Sequence, residues 1–417
     1  MIWNQRKQNV WLWFELLLIS VVLWFIVDYM YVMGRTYTAP LGFDIEHTYL
    51  LTLGELSDVS SDYIPKESRA EGDTDGALVI ELMERMRAYP GVEAVSCSDV
   101  GIPYTAGSRN LGFKLDTLHF GSRWLRVSPD YFKVFNIEGE GFTSEQLTTL
   151  LRNAGKDGFV ASVDIARDAD GFKLAVGQEL TSGFMKDFSS RLVGISGSIR
   201  RCEYDRAEPV LFIPLTDKML IGDYYEGAMN NLEICFRVNP DVDGADFIAR
   251  LRSDLAKQAR VGNIFLMDIK PMSDVREGYI RSNGTENDIK TMTSIAIFLL
   301  VNIFLGVIGT FWFRTEYRKG EMGLRMALGS TRGELRMIMA GEGIMLLLLA
   351  FIPSMLISLN IVYMDMVESY LLPFTLSRYL VCSSITLILI ACMIFIGIWY
   401  PALSTSKMKP ADALHYE

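Results

Sequence analysis

The sequence predicts an α+β integral membrane protein with four transmembrane helices, one before and three after a large mixed α+β extracytoplasmic domain. Three observations predict this class. Three stretches of 21 or 22 residues contain no charged side chain, and a helix of that length crosses about 30 Å of hydrocarbon. A fourth apolar stretch lies near the N-terminus. The long segment after it is acidic, whereas basic residues are concentrated in the short segments beside the stretches.

The first predicted span, residues 10–33, is rich in tryptophan and contains Glu15 and Asp28. Two basic residues precede it, as they would in a signal peptide. The stretch is nevertheless too long for such a peptide and lacks a small-x-small cleavage site, so we expect an uncleaved span. The other three spans are predicted at 292–313, 344–364 and 379–400.

The charge distribution assigns each segment to one side of the membrane. Residues 35–290 hold 40 acidic and 29 basic side chains, and six of the 11 basic residues outside them lie in the connector between the second and third spans. Short loops rich in Lys and Arg stay in the cytoplasm. We therefore expect cytoplasmic segments at 1–9, 314–343 and 401–417, and extracytoplasmic ones at 34–291 and 365–378.

The extracytoplasmic segment contains both helical and strand patterns. Apolar spacing and turn signals predict helices over 76–89 and 243–260. Alternating or buried patterns predict strands over 92–98, 191–199, 208–215, 231–238 and 264–269. Residues 273–291 are polar without proline, so we expect the second span to continue outward as a helical stalk. About 255 residues are enough for one or two packed domains.

Motifs for chemistry are missing from the sequence. It has no GxxxxGK[ST] phosphate loop, no GxSxG and no HExxH or Cys/His zinc spacing. We therefore predict a protein without catalytic, cofactor-binding or metal-binding residues. The acidic run at 71–77 suits a solvated loop in which Asp75 caps the next helix. Nucleic-acid binding is disfavoured because the basic connector lies between membrane spans, although it can meet lipid headgroups.

Two groups of residues allow more than one interpretation. Cys97, Cys202 and Cys235 lie in the outside segment without a CxxC pair, and we expect buried free thiols. Glu15 and Asp28 are about 220° apart around a helix. We expect each to extend toward its nearer membrane surface, and a contact with a dimer partner is the alternative.

The connector between the second and third spans is more specified than a bare turn. We predict a helix over 315–328 that Glu321 stabilises through Arg318 and Arg325. Gly329 is then a left-handed stop, and Thr331 with Glu334 forms a capping box for the next helix. Three apolar side chains fall near one face of the first helix, together with Glu321: Tyr317, Leu324 and Leu328. Such a face suits lipid headgroups or a groove on a partner protein.

Three segments resemble MacB/FtsX-like ABC transporter permeases. The stretch YRKGEMGLRMALGSTRGELRMIM resembles the family's cytoplasmic connector through Arg318, Glu321, Gly323, Arg325, Ala327 and Gly329. The tail YPALSTSKMKPADALHYE resembles the family's ending through Pro401, Ala402, Pro410, Ala413, Leu414 and Glu417. Residues 126–142 are similar to part of the MacB-type periplasmic core domain. The tryptophans and Glu15 of the first span depart from the family pattern, in which that helix is rich in small residues.

The resemblance implies the permease subunit of an ABC transporter in a bacterial inner membrane. Such a subunit works as a homodimer or as a pair with a related permease, and separate cytoplasmic ATPase subunits bind the ATP. The connector would dock on the ATPase and pass its motion to the periplasmic domain, a mode called mechanotransmission. The residues expected to couple to the ATPase are Tyr317, Arg318, Glu321, Gly323, Leu324, Arg325, Ala327, Leu328 and Gly329.

The resemblance leaves the cargo and the further partners open. Expected cargoes are antimicrobial compounds, peptides or lipoproteins, handed to a periplasmic adaptor or an outer-membrane channel. The alternative is an FtsX-like regulator of periplasmic cell-wall hydrolases, which would share the same connector. A membrane-anchored sensor without an ATPase is disfavoured, because the largest cytoplasmic piece is the connector itself.

Overall fold

The computed structural model describes residues 6–406 except 70, 71, 73, 106, 108, 168–171, 183–188, 223–231, 259–261, 319, 322, 323, 326 and 327. The chain divides into two compact units, Ala39–Glu286 and a second unit made of Met1–Thr38 and Asn287–Glu417. We call these the outer domain and the membrane unit. The predicted α+β class with a 1+3 arrangement of apolar helices is confirmed.

The helices with described bounds are α1 Arg6–Thr38, α2 Asp75–Arg87, α3 Tyr131–Val134, α4 Ser144–Ala154, α5 Asp217–Ile221, α6 Ala245–Gln258, α7 Met272–Ser282, α8 Thr285–Tyr317, α9 Arg332–Tyr363 and α10 Leu376–Ser406. The strands are β1 Thr48–Glu55, β2 Val92–Asp99, β3 Asn110–Leu115, β4 Leu118–Val127, β5 Gly158–Ser162, β6 Glu179–Thr181, β7 Ser189–Ser196, β8 Val210–Pro214, β9 Leu232–Val238 and β10 Ile264–Pro271.

The membrane unit contains four helices that are long and apolar enough to cross a membrane. Their candidate spans are Val10–Thr38, Glu286–Arg314, Gly333–Tyr363 and Leu376–Trp399. Each predicted span falls on one of these helices, but α9 begins 12 residues before its predicted span, at Arg332. The reason is the capping box at Thr331, which starts the helix within the connector.

Close packing in the membrane unit depends on glycine at two positions. A Cβ atom at Gly343 would lie 2.8 Å from Ile394 and 2.9 Å from Phe311, and one at Gly397 would lie 3.1 Å from the Cα of Ile308. These glycines allow α8, α9 and α10 to approach around the buried Phe311. Small residues serve the same purpose in many membrane helix interfaces.

The outer domain is built on one continuous ten-stranded sheet. Its first half has the order β10-β1-β9-β2 with antiparallel neighbours. The helices α2 and α6 connect β1 to β2 and β9 to β10, which is the split βαβ arrangement of ferredoxin-like folds. We call this half the split βαβ frame. Its core is formed by α2, α6 and the apolar side chains of the four strands.

The second half of the sheet is inserted between β2 and β9. Its order is β4-β3-β6-β7-β5-β8, and β4 also pairs with β8 in parallel. The six inserted strands therefore close into a ring, which leaves no free edge on them. Apolar residues from these strands, including Phe159, Leu180 and Leu211, form one buried cluster.

Most predicted elements of the outer domain are present with shifted ends. The helix predicted at 76–89 is α2, and the strands predicted at 92–98 and 264–269 are β2 and β10. The prediction that Asp75 caps α2 is wrong. Thr74 is the N-cap and accepts from Ala77 N at 3.2 Å, whereas Asp75 forms an ion pair with Arg69 at 2.6 Å.

The predicted stalk is not one continuous helix. The helix α7 ends at Ser282 and α8 begins at Thr285. Gly284 lies between them with a φ of +72°, a left-handed conformation that interrupts a right-handed helix.

The three cysteines of the outer domain are buried free thiols, as predicted: Cys97, Cys202 and Cys235. Burial raises the pKa of the Cys202 thiol to about 12. These thiols therefore stay protonated and unreactive at neutral pH.

Candidate functional site

The connector between α8 and α9 was predicted to be helical over 315–328. Its first residues are helical, but a turn at Arg318 interrupts the helix. The helix α8 ends at Tyr317, and Arg318 lies in a turn. Beyond it, Gly320, Glu321, Leu324 and Arg325 are helical. The predicted coupling residues Gly323 and Ala327 lie outside the described residues.

The end of the connector has both features that the sequence predicted. Gly329 has a φ of +99°, and Ser330 N donates to Arg325 O at 3.0 Å across it. This is the long hydrogen bond of a Schellman stop. Next, Thr331 Oγ1 accepts from Glu334 N at 3.3 Å and Thr331 N donates to Glu334 Oε2 at 2.9 Å. The stop and the capping box together define a sharp corner before α9.

Five charged side chains form one network at this corner. Arg318 is buried, and its Nε and Nη2 donate to Glu321 at 2.9 and 3.1 Å. Its Nη1 donates to Glu342 of α9 at 2.5 Å. Glu321 also accepts from Arg325 at 2.8 Å, and Glu342 lies 3.6 Å from Arg314 of α8. We call these five residues the connector network, and it joins α8, the connector and α9.

The connector network neutralises most of the positive charge that it contains. Hydrogen bonds from Arg318 hold the pKa of Glu321 below its ordinary value, although partial burial acts in the opposite direction. A depressed carboxyl pKa stabilises the fold above the unfolded pKa, and this stabilisation is lost as the pH falls through the folded pKa. Glu321 is therefore ionised at neutral pH.

The apolar side chains of the connector are exposed. The exposed fractions of Tyr317, Leu324 and Leu328 are 79%, 52% and 79%. We call these three residues the apolar connector face. A segment that buries Arg318 in ion pairs and exposes large apolar groups has the composition of a docking surface.

Sequence reasoning missed Glu342 as a member of this site. The residue lies two positions before the predicted third span, among glycines. A carboxylate so close to a span requires a cationic partner, and the arginines of the connector are the nearest candidates in sequence. That signal was available.

Two carboxylates lie inside the first span. Glu15 accepts a hydrogen bond from Thr310 Oγ1 at 2.9 Å. Asp28 is buried and accepts from Arg378 Nε at 2.8 Å and Nη2 at 2.5 Å. The prediction that these residues extend to the membrane surfaces is therefore wrong for Asp28, because a two-pronged ion pair satisfies its charge within the protein.

Arg378 also organises the loop before α10. Its Nη1 donates to the carbonyl oxygens of Glu368 at 2.9 Å and Leu372 at 2.6 Å. The guanidinium thus connects α1, the loop and α10 within the membrane unit. One sign of this role is visible in the sequence: among the 11 basic residues outside positions 35–290, only Arg378 falls outside the N-terminus, the connector and the tail.

Residues 293–410 match the family model described as FtsX-like permease C-terminal. The chain is 24% identical over 292 residues to the macrolide export ATP-binding/permease protein MacB 1/2 of Paracoccus denitrificans (strain Pd 1222). This alignment covers 69% of the present chain and 41% of that protein, so the chain spans less than half the length of its curated relative.

Three solved structures are also similar. A domain of a permease protein from Porphyromonas gingivalis has a TM-score of 0.34 at 14% identity, covering 54% of this chain and 90% of that one. The periplasmic region of MacB from Actinobacillus actinomycetemcomitans has a TM-score of 0.33 at 12% identity, covering 58% and 94%. The extracellular domain of the noncanonic ABC-type transporter YknZ from Gram-positive bacteria has a TM-score of 0.30 at 14% identity, covering 53% and 100%.

Proposed function

We propose that this chain is a MacB/FtsX-like ABC permease and that it passes the ATP-driven motion of a separate ATPase subunit across the membrane to its outer domain. The connector is the single observation that carries this proposal. Its apolar face is exposed, while Arg318 is buried and paired with Glu321 and Glu342. The surface available to the ATPase is therefore Tyr317, Leu324 and Leu328.

The connector network makes this surface a stiff one. Arg318 is held at three nitrogen atoms by carboxylates from two segments. Charge-assisted hydrogen bonds of this kind are about twice as strong as neutral ones. A displacement of the apolar connector face would thus be transmitted to α8 and α9 together. Rigid-body transmission of this kind is what mechanotransmission requires.

The carboxylates of the membrane helices favour a protein that transmits motion over one that conducts ions or polar solutes through these helices. Glu15, Asp28 and Glu342 each accept a hydrogen bond from another side chain of the membrane unit. A path for ions or polar solutes would instead be lined by charged groups that face water. We therefore propose that the cargo does not cross the bilayer through the described part of these helices.

The location follows from the charge distribution. We propose that the connector lies in the cytoplasm, that the outer domain lies in the periplasm and that the membrane is the bacterial inner membrane. We propose that ATP is hydrolysed on a partner subunit. The proposed cargoes are antimicrobial compounds, peptides or lipoproteins, with an adaptor or an outer-membrane channel as a periplasmic partner.

Replacing Leu324 with aspartate is the direct test of docking. We expect the ATPase subunit to bind at least about tenfold more weakly, because a charge would be placed in the middle of a desolvated apolar contact. Co-purification of the ATPase with the full-length permease from membranes measures this effect. Glu321→Arg should also weaken binding, but it breaks the connector network as well and so cannot isolate the docking surface.

The control for this test is Val59→Asp. Val59 is an apolar residue of the outer domain with 89% of its surface exposed, so the substitution adds the same charge elsewhere. We expect it to leave ATPase binding unchanged. If Leu324→Asp inserts into the membrane and still retains the ATPase as well as Val59→Asp does, the connector is not the docking site.

A further inference from the structure

Arg123 of β4 is a buried charged residue of the outer domain, with 7% of its surface exposed. Its main chain is satisfied, because its N–H donates to Pro209 O at 3.1 Å and its carbonyl oxygen accepts from Ser122 Oγ at 3.0 Å. Its side chain is not satisfied in the same way. The Nε atom is buried, and among the described residues no hydrogen bond or ion pair includes the guanidinium group of Arg123. A buried cation without a partner destabilises a fold strongly.

A second buried arginine shows how this domain satisfies such a group from within. Arg200 is 5% exposed. Its three side-chain nitrogens donate to main-chain carbonyl oxygens, those of Asp205 at 2.8 Å, Ala39 at 2.8 Å and Glu203 at 2.5 Å. Because every nitrogen has an acceptor in the chain, Arg200 needs no ligand. Arg123 is buried to nearly the same extent, but its guanidinium group has no such acceptors among the described residues.

The titratable neighbours of Arg123 leave its charge without a counter-ion of its own. Burial lowers the pKa of the Arg123 guanidinium, and the charge of Arg201 lowers it further, but an arginine stays charged at neutral pH. Glu208 acts in the opposite direction, and it already forms an ion pair with Arg201 at 3.4 Å. The other neighbours are the phenols Tyr131 and Tyr279, and burial raises the pKa of both. Both phenols are therefore neutral at neutral pH, and Glu208 faces two guanidinium groups.

We propose that Arg123 and Arg201 bind a phosphate group in the outer domain. The site lies on β4, beside the loop 197–209 that follows β7 and beside Tyr279 of α7. A guanidinium group presents parallel N–H donors that match two oxygens of a phosphate. The bound phosphate would supply the acceptors that Arg123 lacks within the described part of the chain. The proposal goes beyond the coupling function and does not depend on it, because the site includes no residue of the connector.

A phosphate fits this pair of arginines better than a carboxylate does. The charge of Arg201 acts against that of Arg123, and an anion bound to both groups removes this repulsion. A carboxylate brings one negative charge, whereas inorganic phosphate or a phosphate monoester brings about −1.5 to −2 at neutral pH. Glu208 already supplies one carboxylate beside Arg201. The more highly charged anion is therefore the better complement to the two cations.

Arg123→Met tests the site, because it removes the cation and keeps a long side chain. Thermal unfolding of the purified full chain in detergent is measured in chloride and in inorganic phosphate at equal ionic strength. We expect phosphate to raise the melting temperature of the wild type much more than that of Arg123→Met. Phosphate also stabilises proteins generally, but that contribution is common to both chains. In chloride the variant should be at least as stable as the wild type, because an uncompensated buried charge is removed. Equal phosphate-induced shifts in the two chains would overturn the proposal.

Arg201→Gln is a second variant that leaves the buried Arg123 in place. It removes one of the two cations and releases Glu208 to pair with Arg123. We expect the dissociation constant for inorganic phosphate, measured by calorimetry on the full chain, to rise at least about tenfold. Arg85→Gln is the matched control, since Arg85 also forms an ion pair with a glutamate of the outer domain, Glu81. A dissociation constant that is the same in Arg201→Gln and Arg85→Gln would exclude Arg201 from the site.

The phosphate group can belong to a free solute or to a lipid headgroup, and vesicles distinguish these sources. The full chain is placed in phosphatidylcholine vesicles with or without phosphatidic acid, whose headgroup is a phosphate monoester, and binding of labelled inorganic phosphate is measured. Loss of that binding in the presence of phosphatidic acid would identify the lipid headgroup as a ligand. Binding that phosphatidic acid leaves unchanged would identify a free solute. If Arg123→Met and the wild type bind labelled phosphate equally in both kinds of vesicle, there is no phosphate site at Arg123.

Discussion

Replacing Asp28 with leucine should destabilise the membrane unit by about 3–5 kcal/mol, because Arg378 would then be buried without its counter-ion. Asp28 and Arg378 are both buried, and two hydrogen bonds of 2.8 and 2.5 Å join them. In the membrane the alternative partners for an unpaired guanidinium are few. Denaturation of the purified full chain in detergent measures the loss, and Arg378→Leu should have a comparable effect.

The double variant Asp28→Leu/Arg378→Leu distinguishes an ion pair from general damage. Removing both charges leaves no uncompensated charge, so the double variant should be more stable than either single one. It should not reach the stability of the wild type, because Arg378 also donates to the carbonyl oxygens of Glu368 and Leu372. Additive losses in the double variant would show that the two side chains are not energetically coupled.

Replacing Glu342 with glutamine should lower the ATP hydrolysis of the assembled complex at least about tenfold, since losing a charge-assisted hydrogen bond costs about 1.5–3 kcal/mol. Glu342 is the group that connects Arg318 and Arg314 to α9. Without its charge, the connector should move without displacing α9. The measurement is the hydrolysis rate of the permease with its ATPase subunit in lipid vesicles.

The matched control for Glu342→Gln lies on the same helix. Glu334 is the capping-box residue of α9, and glutamine is also a good residue at that position. We therefore expect Glu334→Gln to leave the hydrolysis rate unchanged. Glu342→Asp keeps the charge and should retain part of the coupling. A hydrolysis rate in Glu342→Gln equal to that of Glu334→Gln would exclude a role for the network in transmission.

Local features of the chain could be predicted from the sequence, and distant pairings could not. The predictions of a left-handed stop at Gly329 and of a capping box at Thr331 are confirmed, because each feature depends on residues within one or two helical turns. The length of the apolar stretches was likewise enough to predict the membrane helices. The pair Asp28–Arg378 joins residues 350 positions apart, and no periodic pattern connects such positions.

The same limit applies to the outer domain. Individual strands were found from their apolar patterns, but the pairing of β1 with β10 and the ring closure of β4 with β8 require the complete fold. Asp75 shows a second kind of limit. Thr74 and Asp75 are both good N-cap residues, and the choice fell on Thr74 because Arg69 pairs with Asp75. The N-cap of α2 thus depends on Arg69, a residue six positions before Asp75.

The split βαβ frame has a consequence for how relatives of this chain can diverge. The strands β2 and β9, between which the six-stranded ring is inserted, are hydrogen-bonded neighbours, and Asp99 at the end of β2 is the register partner of Leu232 at the start of β9. The insertion therefore leaves and re-enters at nearly the same point. We therefore expect chimaeras that exchange the inserted strands between relatives to keep the split βαβ frame folded.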